Sequence, residues 1–191
     1  MADTNCQSRP LIFTIGHSTH PIGEFIELLQ AHDVKRLVDV RTVPRSRHNP
    51  QFNSDALLVA LRAARIYYTH LPGLGGLRHA RKDSPNTGWR NASFRGYADY
   101  MQTTEFERAL GKLLDLAKKK QVAIMCAEAV PWRCHRSLIA DALAVRGIRV
   151  EHITSRIRRQ QHRLTLFARV VGQRLTYPPD SIQTTLDLKE P

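Results

Sequence analysis

The residues of this chain best suited to chemistry gather in one window, Cys126 to Ser137, reading CAEAVPWRCHRS. It holds two thiols, a carboxylate, an imidazole and two guanidiniums. An apolar run, Val122 to Met125, precedes it and an amphipathic run, Leu138 to Val145, follows, so the window reads as strand, loop, helix. Beside a helix N-terminus, unsatisfied backbone N–H groups and the helix dipole favour an anion or a thiolate. Cys134, flanked by Arg133 and His135-Arg136, is placed to feel that field, and such surroundings activate a thiol. Glu128 supplies a carboxylate suited to general acid or base work. Cys126 and Cys134 are therefore candidate nucleophiles, against the alternative that both are buried for packing alone.

Other loops add candidates. His17, after a strand and a glycine, is either a base or ligand or a hydrogen-bonded structural imidazole. Asp39-Val40-Arg41 ends a strand with an acid and a base. It is either an ion pair or, with Arg45 and Arg47, part of a phosphate fork to which Ser46 donates a further hydrogen bond; the anion site is the reading adopted. The LPGLGG loop, with Gly75 and Gly76, lacks the Lys-Ser or Lys-Thr of a P-loop, and glycines supplying positive φ for a tight turn are its simpler reading. Ser18, Tyr97, His135 and Arg136 complete the expected substrate- or anion-contacting set. Cys126, Cys134 and His135 have the ligand types of a zinc site. Adjacent Cys134 and His135 would point different ways on a helix, however, and Cys-x7-Cys is not a standard knuckle spacing, so no metal ligand is assigned and the cofactor stays unknown. Trp89, Phe94, Tyr97 and Tyr100 interleave with Arg90 and Arg95, either to stack bases or to form the hinge and lid of a long loop.

The elements that must position these groups alternate. Leu11 to Ile15, Arg36 to Val40, Ile66 to His70, Val122 to Cys126 and Ile148 to Ile153 read as strands. Helices lie between them: one beginning near Pro21, one capped by Asn53, one from about Tyr97 to Lys120 with a break near Thr103 and Thr104, and one from the CHRS motif to Arg146. The pattern predicts a single-domain, three-layer α/β fold, a parallel or mostly parallel sheet of about five strands with helices on both faces. In such sheets ligands bind outside the carboxyl ends of the strands, where the His17, Arg41, Gly75 and Cys126 loops would converge.

With 191 residues the chain suits one domain, spanning 11–175, with a flexible stretch at 1–10 and a loosely ordered tail at 176–191. Residues 71–95 lack periodicity and read as a long functional loop. A formal charge of +12 favours polyanionic partners, nucleic acid or nucleotide. Six arginines between Ser155 and Arg174 meet no acidic residue, and Leu164, Leu166 and Phe167 are the expected anchors of that segment on the core. Three cysteines argue against a disulfide framework, and no apolar run approaches a membrane span, which places the protein in the cytoplasm. The oligomeric state is not legible.

The ordered motifs TIGHS at Thr14 to Ser18, DVR with P-x-S-R at Asp39 to Arg47, LGG at Leu74 to Gly76, GYADYM at Gly96 to Met101, CAExxPxxCHRS at Cys126 to Ser137 and HI at His152 and Ile153 resemble the family catalogued as domain of unknown function 488. That resemblance implies an α/β protein with its active site at these motifs, and no particular reaction. A second likeness, to rhodanese and cysteine phosphatase domains, rests on LVDVR at Leu37 to Arg41 and on Arg136-Ser137 before an apolar helix. Those enzymes hold the cysteine in a loop of about six residues whose N–H groups form an anion nest, whereas Cys126 lies ten residues before Arg136. The functional expectation is an enzyme acting on a phosphate-bearing substrate. The alternatives are a non-catalytic nucleic-acid binding module and a thiol transferase of the rhodanese or phosphatase kind.

Overall fold

The computed structural model describes residues 10–179. Five strands run parallel: β1 (Leu11–Gly16), β2 (Arg36–Asp39), β3 (Tyr67–His70), β4 (Val122–Cys126) and β5 (Arg149–Ile153). A sixth, β6 (Arg159–Gln161), pairs antiparallel with β5, giving the order β3-β2-β4-β1-β5-β6. A small hairpin, β7 (Arg169–Val171) and β8 (Arg174–Thr176), stands apart from the sheet.

Alternation along the central strands supplies both faces. Phe13, Ile15, Leu37 and Met125 pack beneath α1 (Ile22–Ala31) and α2 (Ser54–Ala63), whose inward faces are Phe25, Leu28, Leu29, Leu57 and Leu61. Ile12, Val38, Val122 and Ile124 face α3 (Ala92–Tyr100), α4 (Thr104–Lys119) and α5 (Arg136–Ala144) across Tyr97, Phe106, Leu110, Leu138 and Ile139. The three-layer α/β architecture with helices on both faces is therefore present, with the antiparallel β6 added. Among the described residues no helix is long and apolar enough to cross a membrane.

Local details depart from expectation for identifiable reasons. Thr103 does interrupt the long helical stretch, its hydroxyl capping α4 through the Phe106 amide. Asn53 precedes α2 but does not cap it; its Oδ1 accepts from the Ser46 amide instead, tying the Arg41 loop to the helix. The stretch 71–95 is shorter than expected, because α3 starts at Ala92 under an Asn91 cap, and it is pinned. Buried Asp99 accepts from the Arg81 amide, the Ser84 hydroxyl and the Asn86 side chain at 2.6–2.8 Å. Of the expected C-terminal anchors, Leu166 is fully exposed, and Phe167 alone takes an edge contact with Trp89. The missing anchor is Tyr177, which the tail reading left loose and which is 0% exposed in the core. The expectations for 1–9 and 180–191 lie outside the described residues.

β1 and β4 are neighbours whose chains leave on opposite faces, β1 into α1 and β4 into α5. That divergence opens the crevice expected at a switch point. The His17 amide donates to the Cys126 carbonyl at 3.0 Å and the Ser18 amide to the Ala127 carbonyl at 2.8 Å, so the two loops stay joined past the strand ends. Gly16 makes this approach possible: a Cβ there would overlap the Glu128 carbonyl and lie 2.8 Å from an Arg136 Nη2. Gly16→Ala is accordingly expected to cost about 2 kcal/mol, measured as a lowered urea midpoint.

Candidate functional site

Above the β1–β4 edge lies a crevice with two lobes. One, of about 360 Å³, is lined by Arg41, Arg45, Gly76, Tyr97, Cys126 and His135 among others. The other, of about 390 Å³, includes Ser18, Thr19 and Asn49. His17, Ser46, Ala127, Glu128 and Arg133 line both. Glu128 is exposed here and its carboxylate has no partner among the described residues; the same holds for the guanidiniums of Arg45 and Arg133.

On the floor of the first lobe the Cys126 and Cys134 sulfurs and a His135 ring nitrogen lie within 4.8 Å of one another. His135 Nδ1 is 3.9 Å from the Cys126 Sγ and 3.7 Å from the Cys134 Sγ. Its Nε2 is 3.2 Å from the Val40 carbonyl, which can only accept, so the ring proton sits on Nε2 and the Nδ1 lone pair faces both sulfurs. The geometry corrects the objection raised from sequence. Cys134 and His135 do not diverge along a helix, because both precede α5: Cys134 is extended (φ −129°, ψ 144°) after the Pro131–Arg133 3₁₀ turn, and His135 has φ −56°, ψ −13°. The thiols are unequal. A hydrogen bond from the Cys126 thiol holds Cys134 well below the usual thiol range, helped by Arg136 and opposed by burial. Cys126 is pushed up by that same interaction and by desolvation.

The expected anion binders fare differently. Arg41 Nε and Nη2 bond Asp39 and the Phe52 carbonyl, leaving Nη1, 3.3 Å from His17 Nε2, as its cavity-facing nitrogen. Arg41 is thus an ion-paired anchor first, as the alternative reading had it. Arg136 is 1% exposed; it donates to Thr14 Oγ1 at 3.1 Å and to the Glu128 and Ala129 carbonyls, clamping the loop from below. Because carbonyls turn inward to this cation, the loop builds no tight nest of N–H groups of the rhodanese kind. Arg47 is exposed and lines neither lobe, whereas Arg45 does.

His17 stacks on Phe52 at 4.2 Å, and both its nitrogens are engaged, Nδ1 with the Ser18 carbonyl and Nε2 with Arg41. Burial lowers its pKa from the ordinary imidazole value. Ser46 Oγ accepts from the Asn49 amide at 3.0 Å, and its hydroxyl proton remains for a ligand. Tyr97 gives its hydroxyl to the Leu74 carbonyl and lays its ring against His135. Gly75 and Gly76 do not supply positive φ: Gly75 has φ −69°, and Leu77 is the left-handed residue. They are glycines for proximity, Gly75 to Thr42 and Gly76 to the His135 ring.

The sequence model described as "Domain of unknown function DUF488" matches residues 21–143 of this chain. The chain belongs to the DUF488 family. No curated protein and no solved structure matches it, and the likeness to rhodanese and cysteine phosphatases gains no support there. Within the DUF488 match fall DVR, LGG, GYADYM and the cysteine window, and these motifs line or brace the crevice. TIGHS and HI flank the matched span and meet underneath it, where Thr14 Oγ1 lies 2.8 Å from His152 Nδ1.

That contact opens a buried chain the sequence reading missed. His152 Nε2 lies 3.1 Å from His162 Nδ1, and His162 Nε2 lies 2.8 Å from Asp141 Oδ1. With both imidazoles neutral, each donor meets one acceptor: Arg136 to Thr14, Thr14 to His152, His152 to His162, His162 to Asp141. The signal was available in this DUF488 chain as polar residues at inward-facing positions, Thr14 between Phe13 and Ile15, and Asp141 inside the apolar LIADAL.

Proposed function

We propose that this DUF488 protein is an enzyme acting on a phosphate-bearing substrate, a nucleotide or nucleic acid, in the two-lobed crevice. The observation that carries the reading is the meeting of an unpaired carboxylate, Glu128, with two unpartnered guanidiniums, Arg45 and Arg133, above the Cys126, Cys134 and His135 floor. Free charged side chains of opposite sign around one cavity suit a bound anion and a proton transfer beside it. Arg45 and Arg133 hold the phosphate, the Ser46 hydroxyl donates to it, and Glu128 moves the proton. The test is calorimetric titration of mononucleotides and a short oligonucleotide, followed by a turnover screen with the same compounds. Arg45→Ala and Arg133→Ala are each expected to weaken binding about tenfold, the loss of one charge-assisted hydrogen bond. Glu128→Ala is expected to bind normally and turn nothing over; turnover surviving in that variant would sink the assignment.

A second reading, a non-catalytic nucleic-acid binding module, is favoured by one observation. Arg156, Arg158, Arg159, Arg163, Arg169 and Arg174 are all exposed, although Arg156 and Arg159 pair with Glu27 and Glu151. It predicts steeply salt-dependent oligonucleotide binding that is indifferent to Cys126, Cys134 and Glu128.

A further inference from the structure

We propose that Cys126, Cys134 and His135 form a zinc site with three protein ligands and a fourth coordination position open to the crevice. Zn–S of about 2.3 Å and Zn–N of about 2.0 Å in a tetrahedron set S···N separations of about 3.5 Å. The two Nδ1···Sγ distances, 3.9 and 3.7 Å, are already within a few tenths of an ångström of that value. No fourth Cys, His, Asp or Glu among the described residues joins the cluster. A three-ligand set beside a cavity is the arrangement of catalytic rather than structural zinc, whose open position takes water or an anionic oxygen.

The surroundings are those a zinc site requires. The Val40 carbonyl, accepting from His135 Nε2, fixes the tautomer that points Nδ1 at the metal. The Arg136 amide lies 3.5 Å from the Cys134 Sγ, where it supports a thiolate from the N-terminus of α5. Gly76 leaves room for the imidazole: a Cβ there would stand 3.1 Å from Nδ1, against the ligand atom itself. On binding, Zn²⁺ takes both cysteines as thiolates, any thiol proton leaving to solvent, and the resulting two-thiolate, one-imidazole complex is neutral. That neutrality matters beside the buried Arg136 guanidinium, which has no carboxylate partner among the described residues. Two thiolates and one imidazole suit zinc in preference to hard cations, which select oxygen ligands.

This inference goes beyond the function proposed above, since a metal could bind whether or not the crevice turns over a phosphate compound. The experiment therefore reads the metal alone. Full-length protein isolated under reductant is analysed for metal, then stripped and titrated with ZnCl₂ and CoCl₂. The expected result is about one zinc per chain, a tetrahedral Co²⁺ spectrum with thiolate charge-transfer bands, and two thiols that a disulfide reagent reaches only after stripping. Cys126→Ser, Cys134→Ser and His135→Ala are each expected to lose the tetrahedral spectrum. Gly76→Ala, which keeps all three ligands, should weaken zinc about 10- to 100-fold while leaving the circular dichroism unchanged. An octahedral Co²⁺ spectrum, a wild-type spectrum in Cys134→Ser, or a Cys126–Cys134 disulfide in place of metal would overturn the proposal. Should a cysteine variant fail to fold, the wild-type Co²⁺ spectrum and thiol count decide the question by themselves.

Discussion

Asp141→Ala is expected to remove about 3–5 kcal/mol of stability, the range for stripping a buried charged hydrogen-bond centre of its partners. Asp141 is 0% exposed on α5 and accepts four hydrogen bonds. They come from His162 Nε2 at 2.8 Å, the Thr165 amide at 3.1 Å, the Thr165 hydroxyl at 2.7 Å and the Tyr177 hydroxyl at 2.9 Å. Every donor belongs to the segment after β6, so one carboxylate fastens the C-terminal part of the chain to the helix that carries the cysteine window. Alanine would leave those donors facing an apolar void, with His162 having lost its hydrogen-bond acceptor. Domains of this size hold about 5–15 kcal/mol in total, so the variant should sit near its unfolding threshold at 37 °C. Two measurements check it: the urea midpoint, and hydrogen exchange of residues 162–177, which should lose protection before the central strands do. A midpoint unchanged from wild type would show that the segment is held by Phe167 and Tyr177 packing and not by the carboxylate.

The parallel sheet, both helical layers and the place of the crevice could be read from sequence because each rests on local signals. Val122 to Cys126 is apolar at every position because β4 is buried on both faces, and Gly147, at φ 75°, stops α5 where a glycine should. The C-terminal segment was not legible. Its hairpin residues Arg169 to Val171 are exposed, and their order comes from Tyr177 and Asp141, contacts 36 residues apart that no window of sequence contains. The same limit explains the arginines. Sequence can mark Arg41, Arg47 and Arg136 as cations in the right loops, but only the fold assigns Arg41 to Asp39, Arg136 to the loop carbonyls, and Arg45 with Arg133 to the crevice. Convergence of Cys134 and His135 failed for a smaller reason. Which residue begins α5 decides whether two adjacent side chains diverge or meet, and helix boundaries are the least certain feature of a sequence reading.

Acid is expected to destabilise the protein through the histidines under the crevice, and the sign follows from where the proton is refused. His152 is 5% exposed, and its pKa is lowered from 6.5 to about 4, first by burial, then by His162 and Arg136, against a smaller opposing effect of Asp141. Above pH 6.5 the residue is neutral in both the folded and the unfolded chain, and its full contribution to stability is present. Between about 6.5 and 4 the unfolded chain takes up a proton that the folded chain rejects, so stability falls with pH; below that window the loss is complete. At about 1.4 kcal/mol for each pH unit between 6.5 and about 4, the ceiling is about 3–4 kcal/mol. Water entry at acid pH would reduce it. His17, also lowered by burial, acts with the same sign. Urea midpoints at pH 7.0, above the window, and at 6.0 and 5.0, inside it, are taken where most carboxylates remain ionised, which isolates the imidazoles. His152→Gln is expected to be less stable than wild type at pH 7, because Thr14 and His162 lose their shared partner. Its stability should nonetheless decline less steeply toward pH 5, so that the two curves converge. Parallel curves would mean that His152 is not the group refusing the proton. The chain from Arg136 to Asp141 would then tolerate an imidazolium at its centre, with the second proton donated to Thr14.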